Sequence, residues 1–148
     1  MIYTSNYANS KKYISSSLIS VSISGDRGKM ENYSGKCYPA LAPKLGFWKI
    51  WHENIGKISE EENTEYYVRE YINQVLNNLN PATVFCHLDN SILLCYEPSL
   101  VFCHRHIVAL WLEKNLSIKV PEIIIDENNK ITETSRNDKI CDIILKQL

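Results

Sequence analysis

Apolar and polar positions recur along this chain with two different periods. Residues 19–24 read Ile-Ser-Val-Ser-Ile-Ser, the alternation of a strand, and Gly25-Asp26-Arg27-Gly28 closes it, so residues 18–24 are predicted to be extended. Ile2-Tyr3-Thr4 predicts a short first strand that runs into a polar loop over residues 5–10. The two prolines within residues 38–43, followed by Phe47, Trp48 and Trp51, predict a loop and a short helix. Val68, Ile72, Val75, Leu76 and Leu79 then recur at helical spacing, behind glutamates at 60, 61, 62 and 65 whose charge suits a helix N-terminus. Pro81 stops that helix at Asn80 and opens a short one over residues 82–88. Residues 91–95, Ser-Ile-Leu-Leu-Cys, form a continuous apolar run that suits a buried central strand.

Beyond a loop at Glu97-Pro98-Ser99, the residues Ile107, Val108, Leu110, Trp111 and Leu112 give residues 104–115 a broad apolar helical face. Residues 120–125 predict a further strand, residues 126–130 a turn, and Ile140, Ile143, Ile144 and Leu148 a C-terminal amphipathic helix. Alternating helices and short strands predict an α/β fold, a compact three-layer, Rossmann-like domain whose largely parallel sheet is flanked by helices. A length of 148 residues suits one domain. No repeat or linker divides it, and residues 126–148 read as a C-terminal extension.

Charge narrows the partners. Sixteen Lys+Arg against 17 Asp+Glu leave a net charge of -1, which removes the electrostatic basis for generic nucleic-acid binding. The longest apolar runs are far too short to cross a membrane, and the N-terminus lacks the basic start and apolar stretch of a signal peptide, so a cytoplasmic location is expected. Five cysteines at irregular spacing do not form a secreted disulfide framework. Reduced thiols follow, one of them available for chemistry.

Reactive side chains concentrate between Cys95 and His106, in the order Cys-Tyr-Glu-Pro-Ser-Leu-Val-Phe-Cys-His-Arg-His. With a strand ending near Cys95 and a helix beginning near Cys103, the side chains of Glu97, Cys103, His104 and Arg105 fall at the carboxyl edge of the sheet, where open α/β sheets bind ligands. A helix start favours anions and thiolates, and Arg105 adds a bidentate donor for phosphate or carboxylate. Three chemistries share this pattern. Cys103 is a nucleophile activated by His104 or His106; or Cys95, Cys103, His104 and His106, with Cys86 or His87, hold zinc; or the cysteines are small core residues and Arg105 is structural. The spacing matches no zinc motif, so neither a metal nor another cofactor is expected. Tyr3, Ser5 and Asn6, at the end of the first strand, are candidates to line the same pocket.

The start Ile2-Tyr3-Thr4-Ser5, the strand end Leu93-Leu94-Cys95-Tyr96-Glu97 and the run Phe102-Cys103-His104-Arg105-His106, with Trp111-Leu112 downstream, resemble the domain of unknown function family 488 (DUF488) from Met1 to about Glu122. The resemblance implies a small α/β protein with a site built around Glu97, Cys103, His104 and Arg105. It lowers the weight of the zinc chemistry, because Cys86 and His87 are outside the family pattern. The expected function is that of an enzyme, a hydrolase or transferase acting on a small phosphorylated or nucleotide-like ligand. Glu97 would serve as general acid or base, Cys103 as nucleophile and Arg105 as the anion contact, so that replacing Arg105 weakens binding and spares stability. The alternatives are a module that binds or senses a nucleotide or other anion without turnover, and a structural interaction protein.

Overall fold

A computed structural model describes residues 1–148. Six strands form one sheet: β1 (Ile2–Asn6), β2 (Ile19–Ser22), β3 (Lys36–Cys37), β4 (Ser91–Cys95), β5 (Glu122–Ile125) and β6 (Ile131–Thr134), in the order β3-β2-β4-β1-β5-β6. All neighbours are parallel except β6, which runs antiparallel to β5. The five helices are α1 (Leu45–Asn54), α2 (Glu60–Gln74), α3 (Pro81–Leu88), α4 (His104–Leu116) and α5 (Asp138–Gln147).

Local chemistry explains the boundaries. Ser59 caps α2 by accepting the Glu62 N–H, Asn80 caps α3 through the Thr83 N–H with Pro81 in the first turn, and Asn137 caps α5 through the N–H groups of Lys139 and Ile140. The run 91–95 is buried at every position, as a central strand requires. In α4 every residue from His104 to Leu112 is buried, because α2, α3, α5 and the sheet surround it.

The layers are unequal. One face of the sheet carries the main core, which joins Ile2, Val21, Ile23 and Leu93 to residues of all five helices. The other face is covered by a 3-10 segment, Tyr7–Ser15, whose Tyr7 and Tyr13 pack on Ile92, Leu94 and Ile123. The polar stretch after Thr4 is therefore not a loop: β1 continues to Asn6, and the chain then winds as 3-10 turns. β6 is a strand that the apolar pattern does not reveal, since Ile131, Thr132 and Glu133 are exposed. The Asp126 carboxylate, accepting from the N–H groups of Asn128 and Lys130, forms the turn that leads into it.

The connection from β1 leads to β2 across the 3-10 face, and the connection from β4 leads to β5 across the α4 face, in the opposite direction. Two crossovers of one hand must behave this way. The strand order thus reverses between β1 and β4, whose last paired residues are Asn6 and Cys95. Their carboxyl ends form the crevice where sheets of this type hold ligands.

Candidate functional site

Cys95 ends β4 and Cys103 is the N-cap of α4, so the seven residues between them fold back at the crevice. His104 lies between the two thiols: its Nδ1 is 3.6 Å from the Cys95 Sγ and 3.9 Å from the Cys103 Sγ. Its Nε2 lies 2.8 Å from the carbonyl oxygen of Ile23, at the end of β2. A carbonyl only accepts, so Nε2 carries a proton and Nδ1 turns its lone pair to the sulfurs. The Tyr71 ring packs beside the imidazole at 5.6 Å between centroids and is itself anchored through its hydroxyl to the Leu41 carbonyl.

The two thiols are driven apart. Burial pushes the Cys95 thiol well above the ordinary thiol value, and the neighbouring Cys103 adds to this. For Cys103, burial opposes ionisation, but the neighbouring Cys95 thiol, the positive charge of Arg105 and the contact with His104 prevail and hold it well below that value. Transfer of the Cys103 proton to Nδ1 leaves a thiolate–imidazolium pair in which both ring N–H groups have acceptors.

Arg105 is fully buried. Its Nε and Nη2 grip Glu122 at the start of β5, with Nη2 to Oε1 at 2.7 Å. Glu122 also accepts from the hydroxyls of Thr4 and Ser99. Burial opposes its ionisation, yet Arg105 outweighs this and keeps its carboxyl below the usual range. Arg136, from the C-terminal extension, donates to the Thr4 hydroxyl at 2.7 Å, the Val120 carbonyl at 2.8 Å and His106 Nδ1 at 3.2 Å. His106 is thereby a buried neutral acceptor, its pKa lowered to about 4 by burial and by Arg105. One nitrogen, Arg105 Nη1, is buried and has no partner.

Arg105 is thus a structural cation first, and the expectation that its replacement spares stability is corrected by this ion pair. Glu97 is half-buried and makes no side-chain hydrogen bond; burial and the nearby Cys103 raise its carboxyl pKa. Asn6 shares the face of Thr4 and pairs in register with Cys95, so it borders the thiols. Tyr3 and Ser5 point to the opposite face, where Ser5 bonds to Tyr13 and to the Ile123 carbonyl and Tyr3 reaches Met1. The fold does not bring these two to the thiols. Glu122 and Arg136 carried a signal that the apolar pattern passes over: a glutamate inside the predicted strand 120–125 needs a buried cation.

Cys95, Cys103 and His104 are each 5% exposed, while Leu100 and Val101, in the segment that links the two cysteines, are exposed. Two surface hollows of about 220 Å³ lie elsewhere, one between α2 and α5 and one among α2, α4 and Leu148, and neither includes a residue of the thiol cluster. No helix is long and apolar enough to cross a membrane.

No curated protein and no solved structure matches the chain. A family model described as the active DUF488-N3 subclade matches residues 2–116, a span that contains β1, β4, both buried thiols, His104 and Arg105. On a match that covers most of its length, the chain belongs to the DUF488 family.

Proposed function

We propose that this protein is a thiol-dependent enzyme, a hydrolase or transferase whose nucleophile is Cys103 and whose substrate is a small anionic, phosphorylated or nucleotide-like molecule. The observation that carries the proposal is the hydrogen bond from His104 to the Ile23 carbonyl, which fixes the ring so that Nδ1 faces two thiols. A nucleophile beside a base that a third group orients is the general signature of covalent catalysis.

The chemistry runs in two steps. His104 Nδ1 takes the Cys103 proton, and the thiolate attacks the electrophilic centre, forming a bond to sulfur as the bond to the leaving group breaks. Glu97, whose raised pKa favours the protonated acid, gives its proton to that leaving group. In the second step Glu97 takes a proton from water or an acceptor hydroxyl, which displaces sulfur and regenerates the thiolate. Arg105 Nη1, unpartnered beside the thiols, supports the reading of an anionic substrate, since a guanidinium with a free N–H welcomes a negative oxygen. Entry requires the chain around the buried thiols to open.

Alkylation with iodoacetamide at neutral pH, mapped by mass spectrometry, tests the assignment. Cys103 should react faster than the exposed Cys86, and Cys103→Ser should abolish the fast phase. A Cys103 that labels more slowly than Cys86 would show a buried structural thiol and end the proposal.

A further inference from the structure

We infer that Cys95, Cys103 and His104 form a three-donor site for a soft divalent cation, zinc being the reference, and that its occupation reversibly blocks the Cys103 nucleophile. The site stands on its own geometry; the block rests on the nucleophilic role proposed above.

The distances carry the inference. Tetrahedral zinc, with bonds of about 2.3 Å to sulfur and about 2.0–2.1 Å to nitrogen, sets its S···N edges at about 3.6 Å and its S···S edge at about 3.8 Å. The two S···N separations here are 3.6 and 3.9 Å, and all three donor atoms lie within 4.8 Å of one another. An ion entering this triangle needs adjustments of a few tenths of an ångström at the S···N edges and of no more than about 1 Å at the S···S edge.

A second, independent observation is the outer hydrogen bond of the imidazole. A metal-bound histidine almost always donates its other ring N–H to a carbonyl or carboxylate, which fixes the tautomer and the ring orientation. The 2.8 Å contact from Nε2 to the Ile23 carbonyl is that arrangement, already in place. Two cysteines and one histidine with a fourth position open is also a known donor set for zinc that keeps an exchangeable ligand.

Charge argues in the same direction. Arg105 is already paired with Glu122, so its single charge does not neutralise two thiolates together. A divalent ion bound by two thiolates and a neutral imidazole adds no net charge to this interior, which removes the cost of burying them ionised. Spacing along the sequence matches no zinc motif, and the fold narrows the sequence candidates to these three, because β4 and the start of α4 meet there while His106 turns to Arg136 and Val101. With the fourth position open to an exchangeable ligand, metal binding is expected to be reversible.

Chelator-treated protein titrated with cobalt(II), then with zinc, tests the site. One equivalent of cobalt should give thiolate-to-metal charge-transfer absorption with the visible bands of tetrahedral geometry, and zinc should bleach them. Zinc should also slow iodoacetamide labelling of Cys103 at least about tenfold, a protection of about 1.4 kcal/mol, with chelator restoring the rate. Labelling of Cys37, Cys86 and Cys141 should not change. Cys95→Ser should lose the bands; should that variant fail to fold, the residue-resolved protection pattern in the wild-type chain decides alone. Absent thiolate bands, or zinc that leaves Cys103 labelling unchanged, would overturn the inference. Fast Cys103 labelling without any zinc effect removes the metal site and leaves the enzyme proposal standing; thiolate bands in a protein whose Cys103 labels slowly do the reverse.

Discussion

Glu122 shows how much one side chain decides here. Its two oxygens meet Arg105, Thr4 and Ser99, and Arg136 lies at 4.0 Å, with Glu122, Arg105 and Thr4 themselves buried. Glu122→Gln keeps the shape and removes the charge, leaving a buried guanidinium without a counter-ion. Urea unfolding should register a loss of about 3–5 kcal/mol, the cost of breaking a buried pair from one side. The paired substitution Arg105→Met with Glu122→Leu should recover most of that loss, because apolar groups of similar volume need no partner. A double variant no more stable than Glu122→Gln would mean that the apolar pair, left among the Thr4 and Ser99 hydroxyls, is no better tolerated than the unpaired guanidinium. The Arg105 role was half legible in the sequence. Its position at a helix start beside Cys103 could be read, but its partner sits on another strand and no local pattern points from one to the other.

At the scale of elements, the strand-loop-helix unit from Ser91 to Leu116 was legible almost to its boundaries. An unbroken apolar run, a proline-containing turn and a wide helical face are each strong local signals. β6 was not legible, because four mostly exposed residues carry no burial pattern; it exists through the Asp126 turn and its pairing with β5. The order of strands was likewise invisible, since it is decided by which helices share a face. The C-terminal elements shape the interior in a way their sequence hides. Arg136, between β6 and α5, donates three hydrogen bonds into the ion network. Asn137 also donates to the Leu100 carbonyl, tying α5 to the segment that links the two cysteines. Arg136→Ala should destabilise the protein by roughly 2–3 kcal/mol, the range for losing charged hydrogen bonds. It should also speed hydrogen exchange in residues 97–102, and an unchanged exchange pattern would sever the proposed link between α5 and that segment.

For the whole molecule, acid is the condition that separates these contributions. Glu122 has a folded pKa below its ordinary 4.5, so the stability it contributes is present above that value and lost as pH falls through the folded pKa. His106, with a folded pKa of about 4 against an ordinary 6.5, binds its proton in the unfolded chain before the folded one. Stability therefore declines from about pH 6.5 toward about pH 4, by on the order of 3 kcal/mol from His106 alone. Melting temperature measured across this range should fall steadily, and His106→Asn should flatten the upper part of the slope; a slope that survives that substitution assigns it to other groups. The pairing of β1 with β5, and of Arg105 with Glu122, has one more consequence. The family match ends at Leu116, before either partner appears. A chain cut there keeps both buried thiols and His104, yet it exposes a flank of β1 to pairing with other chains and strands a buried cation. It should aggregate on expression while the full chain stays monodisperse.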